Sequence, residues 1–357
     1  MSDKKVDMIV DLQFGSTGKG LIAGYLAETG RYDTVITCNM PNAGHTYIDS
    51  RGQKMIHKVL PNGIVSPHLR TVMVGPGAVF DPERLEFEIA AAKLLGYLDR
   101  SVIIMIHPNA AVLQPKHKEA EQATLSGISS TMQGSMAAMV EKMSRPVDGR
   151  VVARDSISWS VQQYVCTQDE WVDALRQAEN ILAEGSQGYS LGINTEFYPF
   201  TTSRDCTPAR FLSDMGVPHN MLRKVIGTAR TFPIRVGNTS DGHSGAHYSD
   251  QQETSWGELG QTAETTTVTG RIRRVFTFSM EQIKEACFYC APDEIFLNFA
   301  QYLPDWTQVA RMVCDIEAHA GAKVHYLGVG PAFGDVLLDI AEVKPHMPVR
   351  QVFDPSC

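Results

Sequence analysis

The sequence of 357 residues predicts an α/β fold, with a large, mostly parallel central sheet flanked by helices on both faces. Three observations support this prediction. The chain opens with a strand, a glycine-rich loop and a helix; runs of β-forming residues then alternate with helical patterns; and 43% hydrophobic residues without a long apolar run are typical of a globular protein. Although this length could form two ordinary domains, we expect a single domain over residues 1–357.

The first strand, Val6–Val10, is a short apolar run, and the helix Leu21–Leu26 follows it after the glycine loop. Further strands are predicted at Thr34–Thr37, Thr71–Val74, Ser101–Ile106, Lys224–Thr228 and Val324–Leu327. Further helices are predicted at Pro82–Leu95, Gln133–Met143, Glu170–Leu182 and Trp306–Ala320. Residues 237–266 are polar and lack periodicity, so we expect a long, mobile surface loop of the kind that is often functional.

Composition and charge argue against several classes of protein. The amino-terminal segment has only a three-residue apolar run, Met8–Val10, too short for a secretory signal, and no stretch is long enough to span a membrane. We therefore expect a cytoplasmic protein. The net charge of −8 argues against a nucleic-acid surface. Seven scattered cysteines predict no disulfide framework, and the Cys287–Cys290 pair is expected in a core helix rather than at a metal.

The glycine loop, DLQFGSTGKG at residues 11–20, resembles a phosphate-binding loop but departs from the common pattern. That pattern needs a glycine, then four residues, then Gly-Lys-Ser/Thr. Here Gln13 stands in place of the first glycine and Gly20 in place of the hydroxyl residue. Gly15, Gly18 and Gly20 still surround Lys19 at a strand-to-helix turn, which supplies backbone donors, a helix N-terminus and a cation. The loop therefore predicts phosphate binding, with a purely structural turn as the alternative.

Three later stretches carry residues suited to group transfer. The first, NAGHT at 42–46, places an amide, an imidazole and a hydroxyl in a glycine-containing loop, where His45 is a candidate charge stabiliser. The second, EGSQG at 184–188, places Gln187 between glycines, where it either aims an amide into a site or caps a turn. The third, TTTVTGRIRR at 265–274, joins hydroxyls to three arginines, a set suited to carboxylates, with a solvated charge run as the alternative.

Together these stretches resemble the adenylosuccinate synthetase family. VDLQFGSTGKG, PNAGHT, EGSQG, YPFTTS, RVG and TTVTGRIRR occur here in the order of the family motifs QWGDEGKG, NNAGHT, EGAQG, YPYVTSS, RVG and ATTGRRRR, and GVGP at 328–331 matches a family STGP turn. The resemblance implies a P-loop-like adenylosuccinate synthetase fold and a Mg²⁺-dependent, homodimeric ligase. Such an enzyme phosphorylates the 6-oxygen of a purine monophosphate, and the amine of L-aspartate then displaces the phosphate.

The resemblance also assigns residues to each substrate. The implied catalytic positions are Ser16, His45 and Gln187. The implied triphosphate-binding residues are Gly15, Thr17, Gly18, Lys19, Gly20, Thr46, Asn298, Gly330 and Pro331. Those implied for the monophosphate are Ser16, Asn42, Ser130, Thr131, Gln187, Thr202 and Gly237, with Arg145 reaching it from the neighbouring subunit. The residues implied for aspartate are Thr267, Val268, Thr269, Arg271 and Arg273. The ligand implied for Mg²⁺ is the carbonyl of Gly44, with Ser16 as a second candidate ligand.

Two departures from the family pattern bear on the substrates. Ser16 stands where the family has an acid that takes the N1 proton of inosine monophosphate, and a serine is too weak a base for that task. Its smaller side chain leaves room for the 2-amino group of guanine. Ala300 stands where the family has the aspartate that recognises the guanine of GTP, and a guanine left without it has unpaired donors, costing about 1–3 kcal/mol each. Adenine lacks the N1–H, so ATP or dATP is the expected donor.

These changes resemble the bacteriophage branch of the family, the 2-aminoadenylosuccinate synthetases, which serve DNA containing 2,6-diaminopurine. The expected reaction joins L-aspartate to dGMP. Two alternatives stay open: an ordinary enzyme acting on inosine monophosphate, and a nucleotide-binding regulator without catalysis. The group that takes the N1 proton also stays open, with Asp11, a water molecule and Mg²⁺-assisted ionisation as candidates.

Overall fold

The computed structural model describes residues 4–147, 150–156, 158–240, 242–266 and 270–338. Its strands are β1 (Val6–Asp11), β2 (Thr34–Thr37), β3 (His45–Ile48), β4 (Lys54–His57), β5 (Thr71–Val74), β6 (Val79–Phe80), β7 (Ile103–Ile106), β8 (Ala111–Val112), β9 (Ile181–Glu184), β10 (Leu222–Arg230), β11 (Ile234–Arg235), β12 (Glu253–Thr254), β13 (Arg274–Phe276), β14 (Glu294–Asn298), β15 (Lys323–Gly328) and β16 (Val336–Leu338). Its helices are α1 (Lys19–Thr29), α2 (Pro82–Leu94), α3 (Pro115–Thr124), α4 (Ser135–Ser144), α5 (Trp159–Gln162), α6 (Gln168–Gln177), α7 (Pro208–Asp214), α8 (Met280–Cys290) and α9 (Trp306–Ala320).

A nine-stranded sheet forms the centre of the fold, in the order β16-β15-β14-β10-β1-β9-β2-β5-β7. The neighbouring strands from β15 through β7 all pair in parallel. Among the described strands of this sheet, β16 is the one that is antiparallel to its neighbour. The prediction of a large, mostly parallel sheet is therefore confirmed. In such sheets ligands bind beyond the carboxyl ends of the strands, where crossovers run in opposite directions from one strand.

The two faces of the sheet carry separate hydrophobic cores, and β1 contributes to both. Met8 and Val10 pack into the core formed with α6, α7, α8 and α9. Ile9 points to the opposite face and packs into the core formed with α1 and α2. Every residue of β1 is buried, as expected for a central parallel strand covered on both faces.

One predicted element was wrong in type. The helix predicted over Glu170–Leu182 is α6, which ends at Gln177, and the next apolar residues form β9. Ala178 leaves the helical conformation with ψ 138°, and a short apolar run fits a buried strand as well as a buried helix. The error matters because β9 lies between β1 and β2, beside the glycine loop.

The other predicted strands and helices are confirmed, with ends shifted by a few residues. Sequence patterns missed α3, α5, α7, β3, β4, β13, β16 and the sheet strand β14, along with several two-residue strands, and they indicated α8 without its bounds. Cys287 and Cys290 lie buried in α8, confirming the core helix, and burial raises the pKa of the Cys287 thiol to about 12. In the part of the chain that the structure describes, no helix has the length and apolarity needed to cross a membrane.

The polar segment 237–266, described except for residue 241, is largely irregular and contains only the short β12. The sequence predicts a surface loop, but Tyr248 and Trp256 are buried in small hydrophobic clusters. Tyr248 packs with Phe14 of the glycine loop and with Phe197. This part of the segment is thus built into the wall around the glycine loop rather than lying on the surface.

Candidate active site

A cavity of about 540 Å³ opens beyond the carboxyl ends of β1, β9, β10 and β14. It gathers residues that lie far apart in the sequence and that were predicted to act together. The predicted site residues lining it are Gly15, Ser16, Gly18, Lys19, Gly20, Asn42, Gly44, His45, Thr46, Thr131, Gln187, Arg273, Asn298, Gly330 and Pro331. The predictions for the triphosphate, the purine, the metal and aspartate therefore converge on one cavity.

The glycine loop is organised by Asp11, the last residue of β1. Its carboxylate is fully buried and accepts hydrogen bonds from the amides of Gln13 (2.9 Å) and Gly15 (3.2 Å). It also accepts from the hydroxyl of Thr17 (2.5 Å) and from the ammonium of Lys19 (2.8 Å). One carboxylate thus fixes four residues of the loop and neutralises its cation.

This arrangement bears on two sequence-based expectations. Asp11 does not line the cavity, and with four donors on its oxygens it is a poor candidate for taking the N1 proton. The Thr17 hydroxyl binds Asp11 and Thr228, so this side chain lies beneath the loop and outside the cavity. The expected contact of Thr17 with the triphosphate stays a prediction, and its backbone is the part left to make that contact.

The N-terminus of α1 faces the cavity, which the first residues of this helix line. Gly18 precedes the helix with φ 98°, in the left-handed region that glycine favours, and no described side chain caps the helix there. A Cβ at this position would also collide with the amide group of Asn298. Uncapped helix amides beside Lys19 form an anion site, as the glycine pattern predicts.

His45 is oriented by Glu184, the last residue of β9. The His45 Nδ1 atom lies 2.6 Å from Glu184 Oε1, and the other carboxylate oxygen accepts the amide of Asn62 (2.7 Å). Glu184 is only 1% exposed. Because Nδ1 is held by the carboxylate, Nε2 is the ring nitrogen left to contact a ligand.

Replacing Glu184 by glutamine tests this pair. The amide keeps the size and one acceptor oxygen but removes the charge beside the imidazole. We expect kcat to fall about 10- to 100-fold, which is less than the full contribution of a proton-donating side chain, because the imidazole itself remains. Steady-state kinetics measures the loss. Glu88→Gln is the matched control, since Glu88 is equally buried and accepts the amides of Val59 and Leu60. Equal kcat values for the two variants would contradict the role of Glu184.

Gln187 has two features that point to a ligand. It adopts φ 61°, a left-handed conformation that is uncommon for residues other than glycine and tends to occur at functional sites. Its amide nitrogen donates to Asn42 Oδ1 at 2.7 Å, while the described residues offer its buried Oε1 no hydrogen-bond partner. A buried acceptor without a partner in a cavity wall is explained if a donor on the bound ligand forms the missing hydrogen bond.

A second group of predicted residues lies at the margin of the cavity. Arg271 donates to the carbonyls of Ser130 (2.9 Å) and Gly237 (3.4 Å), which joins two segments predicted to hold the monophosphate. The amide of Thr202 donates to the carbonyl of Leu191, which lines the cavity. Arg145 is exposed after α4 and is absent from the cavity of its own chain. The predicted residues Thr267, Val268 and Thr269 lie outside the described residues.

Arg273 reaches the cavity beside an acid that the sequence analysis did not single out. The pKa of its guanidinium is lowered to about 10, chiefly by burial, while Glu264 opposes the shift and Arg230 adds to it. Glu264 also lines the cavity and forms an ion pair with the buried Arg230. Tyr302 donates to Glu264 at 3.2 Å.

Residues 8–153 and 137–314 match the family model described as adenylosuccinate synthetase. These ranges cover most of the chain. The chain belongs to the adenylosuccinate synthetase family.

Relatives and solved structures agree with this assignment. The chain is 57% identical over 344 residues to the N6-succino-2-amino-2′-deoxyadenylate synthase of Vibrio phage phiVC8, covering 94% of this chain and 98% of the relative. A structure of the cyanophage S-2L succinoaminodeoxyadenylate synthetase, described as bound to dGMP and dATP as an energy donor, superposes with a TM-score of 0.87 at 38% identity, covering 96% and 98% of the two chains. The adenylosuccinate synthetase of Plasmodium falciparum shares the fold, with a TM-score of 0.77 at 18% identity over 94% and 100% of the chains.

Four residues of this site are each the last residue of a strand, and their strands are neighbours in the sheet: Asp11, Glu184, Arg230 and Asn298. These residues hold the segments that line the cavity. Glu184 stood in a quoted motif but received no role, because the sequence analysis placed the preceding residues in a helix rather than in β9. An acid ending a buried parallel strand was the signal that could have identified it. Arg230 carries a weaker signal of the same kind, a charged residue that ends a long apolar strand.

The family is expected to use Mg²⁺, and the donor set of this cavity can be compared with that ion. No group of three or more histidine, cysteine or acidic residues suitable for a metal occurs among the residues that the structure describes. Gly44, the predicted carbonyl ligand, does line the cavity next to His45 and the glycine loop. Such a site fits a Mg²⁺ that substrate phosphates largely coordinate, which is the usual manner of binding in phosphate-transfer sites.

Proposed function

We propose that this protein is a ligase that joins L-aspartate to dGMP, with ATP or dATP as the phosphoryl donor. The products are N6-succino-2-amino-2′-deoxyadenylate, ADP or dADP, and phosphate. The observation that carries the proposal is that a single cavity is lined by Ser16, His45, Gln187 and Arg273 beside a glycine loop. The phage relative at 57% identity and the cyanophage enzyme described with dGMP and dATP support it.

The first half-reaction moves the terminal phosphoryl group of ATP or dATP to the 6-oxygen of guanine, so that ADP or dADP leaves and guanine loses its N1 proton. Because Asp11 does not line the cavity, we assign that proton to a water molecule. The amides at the start of α1 and the ammonium of Lys19 bind the triphosphate. His45, held through Nδ1 by Glu184, donates from Nε2 to the transferring group and stabilises its charge. Gln187 steadies the purine where its unpaired Oε1 accepts a hydrogen bond from the base.

Mg²⁺ would be held by the phosphates and the carbonyl of Gly44, with the Ser16 hydroxyl as a second candidate ligand. Bound there, the ion supplies charge neutralisation on the phosphate oxygens.

Ser16 accounts for the choice of guanine as the base of the monophosphate. It is exposed in the cavity at the tip of an otherwise buried loop, and its short side chain leaves space beside N1 and C2 of the base. Its hydroxyl can accept a hydrogen bond from the 2-amino group. A base with hydrogen at C2, such as hypoxanthine, makes no such contact, so the favourable interaction is specific to guanine.

In the second half-reaction the amine of aspartate attacks C6 and phosphate leaves. Arg271 and Arg273, together with Thr267, Val268 and Thr269, are the residues we assign to the two carboxylates of aspartate. Arg273 lies in the cavity, and burial strengthens its interaction with an anion because little water competes.

The donor side of the cavity favours adenine. Ala300 is a buried apolar residue in the position where a guanine-binding acid is expected, and its neighbours Asn298, Phe299 and Gln301 line the cavity. A guanine placed there would lack a carboxylate for its N1–H and amino group. We further propose that the chain works as a homodimer and that Arg145, exposed on its own subunit, contacts the monophosphate bound by the partner.

The proposal is tested by incubating the purified protein with Mg²⁺, ATP, L-aspartate and either dGMP or inosine monophosphate, and measuring phosphate release and the succinylated product. We expect aspartate-dependent turnover of dGMP. Turnover of inosine monophosphate alone would identify an ordinary adenylosuccinate synthetase. Nucleotide binding without aspartate-dependent phosphate release would identify a regulator, and either result would overturn the proposal.

Ser16→Asp is expected to lower kcat/KM for dGMP by about 10- to 100-fold, because crowding in a filled site typically costs about 1–3 kcal/mol. Ser16 has φ 55°, a conformation that aspartate tolerates, so the loss should come from the side chain rather than from backbone strain. The KM for ATP should change much less. Ser16→Ala is the control for size. Unchanged dGMP turnover by Ser16→Asp would refute the steric explanation.

A further inference from the structure

Arg230 ends β10 with 0% of its side chain exposed, although it carries a charge. Because β10 lies between β1 and β14, its carboxyl end reaches both the glycine loop after β1 and the cavity wall after β14. Its guanidinium lies 3.8 Å from the ring centre of Phe299 in that wall. A buried arginine in this position is held by specific partners, since a charge without them is costly to bury.

The first set of partners belongs to the loop that carries Ser16. Arg230 Nη1 donates to the carbonyl of Ser16 at 3.3 Å. The backbone of Arg230 forms a reciprocal pair with the side chain of Gln13: its amide donates to Gln13 Oε1 at 2.9 Å, and its carbonyl accepts from Gln13 Nε2 at 3.2 Å. Arg230 therefore fixes the peptide of Ser16, a residue with a strained, left-handed backbone.

The second partner is Glu264, which receives Arg230 in bidentate geometry at 2.5 and 3.1 Å. The backbone carbonyl of Glu264 accepts the amide of Arg273 at 2.9 Å. Glu264 thus belongs to the segment assigned to aspartate, while its carboxylate binds the arginine that holds Ser16. Bidentate arginine–carboxylate pairs constrain orientation as well as charge.

The two partners of Arg230, Ser16 and Glu264, are connected by charge as well as by geometry. Among the described residues lining the cavity, Glu264 is the one carboxylate, and it lies near two guanidinium groups, those of Arg230 and Arg273, so that one of the two positive charges is not compensated by it. The position of Arg273, which is assigned to a carboxylate of aspartate, depends on Glu264, because the Glu264 carbonyl accepts the Arg273 amide. The Arg230–Glu264 pair therefore links the position of Arg273 to that of Ser16.

We infer that Arg230 and Glu264 form a positioning pair that couples aspartate binding to the placement of Ser16, and thereby to selection of the 2-amino purine. This inference rests on the proposed function. Weakening the pair should raise the KM for aspartate and reduce the preference for dGMP over dIMP, which lacks the 2-amino group. The KM for ATP should be nearly unchanged.

The test compares Arg230→Lys and Glu264→Gln with the wild type, using aspartate KM and the ratio of kcat/KM for dGMP and dIMP. Each variant should raise the aspartate KM and lower the ratio by about tenfold, the effect of one lost charged hydrogen bond. The double variant should lose little more than either single variant, as expected for residues acting as a unit. Tyr302→Phe, which removes only the 3.2 Å hydrogen bond to Glu264, provides a milder variant if the others fold poorly.

Arg223→Lys is the matched control, because Arg223 makes an equally close bidentate pair with Asp7 at the other end of the same two strands. It should lower the thermal midpoint without changing either kinetic quantity. If Arg230→Lys and Glu264→Gln shift both quantities no more than this control does, the inference is overturned. Additive losses in the double variant would overturn it equally.

Hydrogen exchange over residues 12–20 provides a readout independent of turnover. Glu264→Gln should accelerate amide exchange in this loop severalfold, because Glu264 acts on the loop through Arg230. Arg223→Lys should leave the exchange rate of the loop unchanged. Failure of the wild type to use dGMP would refute the proposed function, whereas the exchange comparison would still decide the coupling. Unchanged exchange in Glu264→Gln would contradict it.

Discussion

His45→Asn is expected to lower kcat for the ligation of dGMP and aspartate by about 10²- to 10³-fold, the usual loss when one group that stabilises transition-state charge is removed. Asparagine fits the space near Glu184 but cannot present a second donor where Nε2 faces the cavity. The loss should fall on the phosphoryl-transfer step, since His45 is assigned to the transferring group. A quench experiment that follows ADP formation in a single turnover measures this step directly.

His117→Asn is the control for removing a buried histidine paired with a glutamate. His117 lies 2.5 Å from Glu141 through Nε2 and does not line the cavity. Both variants should be less stable than the wild type, but only His45→Asn should lose the rate of ADP formation. A kcat for His45→Asn within tenfold of the wild type would show that His45 does not stabilise the transferring phosphoryl group.

Asp11→Asn is expected to reduce the free energy of unfolding by about 3–5 kcal/mol, the cost of removing one partner of a buried ion pair. The ammonium of Lys19, which is 4% exposed, would lose its counter-charge, and one amide oxygen cannot replace a carboxylate that accepts four donors. Urea denaturation measures the loss. Asp7→Asn is the control on the same strand, since Asp7 is also buried and pairs with Arg223.

The same variant should regain stability when the triphosphate binds, because phosphates supply the missing counter-charge to Lys19. Saturating Mg²⁺-ATP is expected to raise the thermal midpoint of Asp11→Asn by more than it raises that of the wild type or of Asp7→Asn. Equal shifts in all three proteins would show that Lys19 does not meet the phosphates.

Several strands of the sheet were predictable because each is a short, β-rich apolar run. Thr34–Thr37 and Thr71–Val74 have the predicted bounds. The strand β9 was missed because its apolar residues follow an amphipathic helix with only three residues between them, so local periodicity continued across the boundary. What separates the two elements is the pairing of β9 with β1 and β2, a contact that no local pattern contains.

The site shows the same division between local and tertiary information. The glycine loop, His45 and Gln187 were found from short motifs, and the cavity brings them together. The partner of His45 lies 139 residues away in the sequence, and Arg230 and Glu264 are separated by 34 residues. Such pairs form only when the sheet places their elements side by side, so single-sequence reasoning could propose the reacting groups but not the residues that orient them.

The four strand ends Asp11, Glu184, Arg230 and Asn298 have a geometric consequence. The strands β9, β1, β10 and β14 are consecutive neighbours, and adjacent strands lie about 4.8 Å apart, so these ends span about 14 Å. This distance is set by backbone hydrogen bonding and is independent of which base is bound. Ser16 and Ala300, the residues assigned to base choice, lie beyond β1 and β14, Ser16 in the glycine loop and Ala300 at the start of a short 3-10 helix. The preference for each base can therefore change by substitution outside the strands, while the spacing set by the strands is preserved.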